Sequence, residues 1–363
     1  MEIGTSSVAA ESPAPAIPYR IRVASPEGLP LCIEPDGDSD VGRLCDWLRA
    51  NAGWVQDRLT AHGALLFRGF PVFDAPAFER VARAVDDHLK NEYLGTSPRN
   101  GLTDYVFTAS ELPPFFPIPQ HCEMSFVADP PERVFFCCLL APAANSGETP
   151  LVDFRAVWRD LDPDVRERFE KGGIRIVRNY AGPGGGSKFD LWQLKRWDEM
   201  FLTTDKVAVE AKCREEGFEV QWGANDRLCL ISTQPVHRDH PRTGERVWHN
   251  HTQVFHLSAA PGEYKRIAAL RPTLRNRALA LFTAAMVGVQ RRLRSSEQQA
   301  MHCTYLDGRE ISDADMEHVR DVIWRHLVIT PWQRGDVLAI DNHSVAHGRL
   351  PYSGPRQVAV AWS

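Results

Sequence analysis

The spacing of apolar positions changes period along the chain, and each change marks an element. Between Val41 and His62, Leu44, Trp47, Leu48, Val55 and Leu59 recur near helical spacing, and Gly63 follows where a left-handed cap would end a helix. Ala64-Leu65-Leu66-Phe67-Arg68-Gly69-Phe70-Pro71 reads as a short buried strand closed by Gly and Pro, and Ala75 to Leu89 returns to helical spacing. From residue 133 onward strand patterns dominate: Val134 to Leu140, Thr149 to Phe154, Ile174 to Tyr180, Phe218 to Trp222, Leu228 to Thr233, Val247 to Phe255, Val337 to Ile340 and Gln357 to Trp362. Helical patterns at Val157 to Lys171, Val207 to Glu216, Pro261 to Arg294 and Asp313 to Leu327 fall between them.

So many short strands predict a mainly β chain of the α+β class, a sandwich or jelly roll with peripheral helices. The strands arrive in two batches, split by a helical stretch around residues 258–300. That stretch reads as an insertion within one domain, because the last strands alone are too few to form a core. Residues 1–17, rich in Ala, Ser and Pro, read as a disordered leader, which leaves 18–363 as a single domain. A length of 363 residues suits one large or two modest domains at roughly 150 residues each.

Charge and composition narrow the partners. Lys and Arg number 42 against 47 Asp and Glu, a formal balance of −5 without any block of like charge, which argues against nucleic acid. The longest nearly apolar run, Ala278 to Val289, has twelve residues and is too short to cross a bilayer. The N-terminus shows neither the charge cluster nor the apolar stretch of a signal peptide, so a cytoplasmic chain with no membrane partner is expected. Eight cysteines without CxxC spacing are expected as reduced, buried thiols, Cys137 and Cys138 packed in a strand. Nothing in the sequence specifies the oligomeric state.

Candidate chemistry starts at His121-Cys122-Glu123, where an imidazole and a carboxylate two positions apart share one face if the segment is a strand. Asp341-Asn342-His343-Ser344-Val345-Ala346-His347-Gly348-Arg349 offers a distant third ligand. Two histidines and one carboxylate with positions left open is the arrangement of non-haem Fe(II) oxygenases, although an HxE triplet alone also describes an exposed polar strand face. Arg356 stands at the head of the final strand and could clamp a carboxylate, or serve as a solvated turn arginine beside Gly354-Pro355. Thr149 in Gly147-Glu148-Thr149-Pro150 places a hydroxyl at a strand head, or in a plain turn.

Taken in order, these segments resemble a known family. His121-Cys122-Glu123-Met124-Ser125-Phe126, Phe135-Phe136-Cys137, Gly147-Glu148-Thr149-Pro150-Leu151 and Ala346-His347-Gly348-Arg349-Leu350-Pro351-Tyr352 resemble the taurine dioxygenase and clavaminate synthase-like superfamily of Fe(II)- and 2-oxoglutarate-dependent oxygenases. His62-Gly63, Leu66-Phe67-Arg68-Gly69-Phe70, Arg178-Asn179-Tyr180, His240-Pro241, Thr243-Gly244-Glu245 and Val247-Trp248 extend the resemblance over about residues 60–363, nearest the branch of the syringomycin-type aspartyl hydroxylases. The resemblance implies a double-stranded β-helix with an iron site at its mouth. It implies that His121, Glu123 and His347 bind Fe(II), that Arg356 and Thr149 bind 2-oxoglutarate, and that Arg349 holds cosubstrate or substrate. Two departures stand out: Glu123 replaces the commoner Asp, and the nine-residue interval from His347 to Arg356 is short. Halogenating relatives lack the carboxylate, so Glu123 argues against halogenation.

The implied reaction consumes O2 and 2-oxoglutarate, releases succinate and CO2, and hydroxylates, desaturates or cyclises a small molecule. An amino-acid-like substrate of specialised metabolism, free or tethered to a carrier protein, is expected. A non-catalytic metal-binding jelly roll and a zinc hydrolase using the same three ligands are the other readings. His249 and His251 would share a face of the strand expected over 247–255, as a second metal site or as pocket residues, and the resemblance implies that Asn250 is a substrate-binding residue there. Gly182-Pro183-Gly184-Gly185-Gly186-Ser187-Lys188 lacks phosphate-loop order and reads as a lid or a plain connector. His237 and His240 read as an exposed loop.

Overall fold

The computed structural model describes residues 18–92, 99–143, 146–185, 194, 196–295 and 298–363. The leader expected over 1–17 and the end of the glycine-rich segment, 186–188, lie outside the described residues. The first elements are β1 (Tyr19–Val23), β2 (Leu31–Pro35), α1 (Val41–Ala50), α2 (Ala52–His62), β3 (Ala64–Phe67) and α3 (Ala75–Val85). Next come β4 (Phe107–Thr108), β5 (Ile118–His121), β6 (Arg133–Leu140), β7 (Leu151–Asp153), α4 (Phe154–Asp160), α5 (Pro163–Gly172) and β8 (Ile174–Tyr180). α6 (Trp197–Phe201), α7 (Lys206–Glu215), β9 (Glu219–Trp222), β10 (Leu228–Gln234), β11 (Arg238–Asp239) and β12 (Arg246–Val247) lead to α8 (Thr252–Phe255), α9 (Ala259–Leu270) and α10 (Leu274–Leu293). The remaining elements are β13 (Met301–Thr304), α11 (Asp313–Arg325), β14 (Val337–Asp341), β15 (Val345–Arg349) and β16 (Gln357–Trp362).

The result is a mixed α/β fold with one seven-stranded sheet, β1-β2-β3-β14-β6-β16-β4, a four-stranded sheet, β13-β8-β10-β9, and a three-stranded sheet, β5-β15-β7. Pleating sends alternate residues of the central strands to opposite faces. Val134, Phe136, Leu338, Ile340, Val358 and Val360 join a buried cluster shared with the smaller sheets, whereas Phe135, Cys137, Val337, Ala339, Ala359 and Ala361 join a second cluster with α1 and α3. With both faces covered, these strands read as continuous apolar runs rather than alternating ones.

Gly63 ends α2 at a φ of 68°, and a Cβ there would collide with the Val345 side chain, so glycine is needed for conformation and for space. Three expected helices are interrupted. The 41–62 segment breaks at Asn51; 157–171 breaks where Asp162 accepts from the N–H groups of Asp164 and Val165; 261–294 breaks at Pro272, after which Thr273 caps α10. The apolar spacing runs through each break, so periodicity alone does not register it.

The strand expected over Val247–Phe255 is overturned. Pairing stops at Val247 and Thr252–Phe255 is a helical turn, because Asn250 Oδ1 accepts from both the N–H and the hydroxyl of Thr252, at 3.0 and 2.7 Å, a local bond that competes with extension. His240, expected to be exposed, is buried with its Nε2 2.8 Å from Asp341 Oδ2. All eight cysteines are free thiols, and Cys137 and Cys138 are packed inside β6. Among the described residues no helix is long and apolar enough to cross a membrane.

Candidate metal centre and adjoining cavities

β5 and β15 pair antiparallel with His121 opposite His347, and their rings lie 4.7 Å apart between centroids. β5 ends at His121, so Glu123 is not on a shared strand face as expected. It stands on a turn in which Met124 takes a left-handed φ of 50°. Asn342 holds that turn from across the fold: its Oδ1 accepts from the Glu123 N–H at 2.6 Å, and its Nδ2 donates to the carbonyls of Glu123 and Pro131 at 3.0 and 2.8 Å. One ligand atom each from His121, Glu123 and His347 then lies within 4.8 Å of the others.

Charge state follows from surroundings. His121 Nδ1 lies 2.8 Å from the Pro119 carbonyl, to which Nδ1–H donates, leaving the Nε2 lone pair as ligand. Burial, with His347 adding to it, pushes the His121 pKa down to about 4, so the ring is neutral near pH 7. Burial would raise Glu123, but Arg99, whose Nη2 is 2.8 Å from Oε2, and His347 outweigh it and hold the carboxyl well below its usual range. Two imidazole nitrogens and an ionised carboxylate, converging in a buried place, are a donor set that fits Fe(II) and leaves positions for other ligands.

Two cavities meet at this cluster. The smaller is lined by His121, Glu123 and His347 together with Thr149, Arg356, Arg99 and Arg349, three guanidiniums against one carboxylate. Arg356 Nε donates to the Gly147 carbonyl at 2.8 Å, and burial followed by the neighbouring Arg349 pushes its pKa down to about 10, which still leaves it charged. Gly147, at a φ of 64°, lets that side chain approach: a Cβ there would stand 3.0 Å from Arg356 Cδ. Thr149 Oγ1 accepts from Trp332 Nε1 at 3.2 Å. Arg349 lines this cavity as well and has a structural task besides. Both its Nη groups donate to backbone carbonyls, of Ser110, Leu112, Pro113 and Phe116, so it clamps the segment that walls the site.

The larger cavity, about 150 Å³, is mostly apolar, and His121 and Glu123 line it too. Asn250 is corrected here: its amide is spent on the Val236 carbonyl and on Thr252, and it does not line the cavity, whereas neighbouring His251 does. His251 Nδ1 lies 2.6 Å from Ser125 Oγ, and burial holds both His251 and His249 far below the usual histidine range, His249 at about 3. No second metal group forms around these two rings among the described residues. A His256, His302 and Glu310 cluster does form, but its ring nitrogens are already bonded to Ser258, Ile311, Leu257 and Glu310.

The sequence does not mark the roles of Arg99, Asn342 and the His240–Asp341 pair, because each acts through a partner remote in the chain. Replacing Asn342 with Ala strips partners from one N–H and two carbonyls in a buried turn, at roughly 1–3 kcal/mol for each group left unsatisfied. The expected result is a clearly lowered thermal unfolding midpoint and an Fe(II) affinity reduced roughly 10–100-fold, read by anaerobic metal titration. A wild-type midpoint and affinity would show that Asn342 does not hold the turn.

A family model, the taurine catabolism dioxygenase TauD, TfdA family, matches residues 26–362. The chain is 29% identical over 309 residues to the dapdiamide synthesis protein DdaC of Enterobacter agglomerans, covering 85% of this chain and 84% of that one. It is 29% identical over 316 residues to a clavaminate synthase-like protein of Arabidopsis thaliana, covering 86% and 84%. Among solved structures, PvcB of Pseudomonas aeruginosa superposes with a TM-score of 0.51 at 15% identity, over 99% of this chain and 94% of that one. PvcB is described as an Fe, α-ketoglutarate dependent oxygenase from an isonitrile synthetic pathway. With a match spanning almost its whole length, the chain belongs to the TauD/TfdA family and is a non-haem Fe(II)- and 2-oxoglutarate-dependent dioxygenase.

Proposed function

We propose that His121, Glu123 and His347 hold the Fe(II), that Arg356 and Thr149 bind 2-oxoglutarate, and that the larger cavity takes a small amino-acid-like substrate, free or carrier-tethered. The substrate is hydroxylated, desaturated or cyclised at a carbon facing the metal. One observation carries this reading: a single small cavity is lined by all five of those residues, and a second cavity opens onto His121 and Glu123. The three sheets are read with it as a double-stranded β-helix. Similarity to a dapdiamide synthesis protein supports a place in specialised metabolism.

When bound, the iron couples decarboxylation of 2-oxoglutarate to activation of O2. The chain supplies position and exclusion of water. Arg356, kept charged despite burial, offers planar donors to a carboxylate, and its guanidinium is steered by the Gly147 carbonyl. Thr149 adds a hydroxyl from the strand head. Arg349 keeps the 110–116 segment closed over the cavity, and neutral His121 presents Nε2.

The test is an anaerobic titration of metal-free protein with Fe(II) and then 2-oxoglutarate, following the visible metal-to-ligand charge-transfer band. Wild type should develop the band. Arg356→Ala should bind Fe(II) normally but need roughly 10–100-fold more 2-oxoglutarate, the worth of a lost charge-assisted bond. Fe(II) binding without any band in wild type would move the binding-protein or hydrolase reading ahead.

A further inference from the structure

Glu263 lies on α9 and, besides Glu123, is the one carboxylate lining the larger cavity among the described residues. It is 2% exposed. Its two oxygens share a single donor, the Trp324 Nε1–H, 3.2 Å from each, although an ionised carboxylate offers about four acceptor positions. No ion pair joins it to a cation among the described residues. Arg266 bonds the Gly262 carbonyl, Glu317 and Asp321, and Arg320 Nη1 donates to Ser258 Oγ, while Arg266 Nε and Arg320 Nε and Nη2 are buried without a hydrogen-bond partner. Burial raises the Glu263 pKa, against the pull of Arg320 and of the Trp324 bond. The surrounding wall is mostly apolar, with Phe116, Phe126, Val254, Phe255, Leu257 and Met301, and its polar members include Gln290, Arg294 and Gln299.

A buried carboxylate with unfilled acceptor positions in an apolar cavity is costly unless a donor completes it. We propose that Glu263 is the subsite for a cationic nitrogen of the substrate, so that a primary ammonium at one end of an apolar body docks there while the carbon to be oxidised lies at the His121, Glu123 and His347 end. This rests on the reading of that triad as the iron site. An ammonium brings three N–H donors and the opposite charge; an alcohol of the same length brings one donor and no charge, and is discriminated against. The apolar wall selects a hydrocarbon body between the two ends.

The experiment compares hexylammonium with 1-hexanol, by calorimetry and by the perturbation each causes in the charge-transfer band of the anaerobic Fe(II) and 2-oxoglutarate complex. Wild type should bind hexylammonium at least about tenfold more tightly. Glu263→Gln should bring the two probes within about twofold of each other while leaving 1-hexanol binding and the band unchanged. Wild type without a preference overturns the proposal whether or not the variant folds, and so does a variant that weakens both probes equally, the result expected if Glu263 only balances Arg320. If wild type develops no band, the iron reading fails on its own, and calorimetry of the two probes with metal-free protein still decides the role of Glu263.

Discussion

His121→Ala abolishes iron-dependent consumption of 2-oxoglutarate, and the charge-transfer band does not form at Fe(II) concentrations that saturate the wild type. The reason is geometric. His121 and His347 face each other across one register position of β5 and β15, and Glu123 completes the cluster from a turn; without His121 only one nitrogen and one carboxylate remain within reach of the same point. The loss of affinity should exceed the roughly 10–100-fold that removal of a group merely supporting a ligand costs. The fold should survive, because among the described residues the ring's one hydrogen bond goes to the nearby Pro119 carbonyl, and its open side faces the two cavities. Far-UV circular dichroism of the metal-free variant should therefore match wild type. Turnover or a band retained in a folded His121→Ala protein would remove the proposed iron site.

Acid should destabilise the metal-free protein well before its carboxylates titrate. His249 and His256 are held neutral with pKa values of about 3 each, in both cases first by burial, then by Arg238 beside His249 and by His302 beside His256. In the unfolded chain both return to near 6.5. Between the two values the unfolded state binds protons that the folded state refuses, so stability rises with pH across that window and is lost as pH falls below about 6.5. Each ring contributes a slope of roughly 1.4 kcal/mol per pH unit. The urea midpoint should thus drop steeply from pH 7 to pH 5, and His256→Gln should remove close to one proton from the slope. A midpoint flat over that range would mean that these rings are not held neutral by the fold.

Much of the site was legible in the chain. The HxE triplet, the distant His347 and the following Arg356 are local patterns, and a strand after each made their convergence conceivable. How they converge was not legible. Glu123 arrives by a left-handed turn at Met124 that Asn342 fastens from the far end of the chain, and no periodicity in residues 118–126 encodes that partner. The 247–255 segment misled for a related reason: aromatic and β-branched residues favoured extension, while one side chain, Asn250, held a helical turn through bonds to Thr252. His240 read as an exposed loop residue because its partner Asp341 is remote in sequence.

The sequence by itself determined where most of the helices and the central strands lie and which residue types could bind a metal and an acid, because backbone preference and the apolar pattern act over a few neighbouring positions. Only the tertiary structure decided that Arg349 clamps the 110–116 segment as well as lining the smaller cavity, that Asn250 supports a turn while His251 faces the larger cavity, and that Glu263 stands in that cavity with acceptor positions unfilled. Those roles depend on which carbonyls, rings and charges are carried into contact by strand pairing and helix packing. Burial then fixes their strength, since a polar group removed from water is governed by the few partners that the fold places beside it.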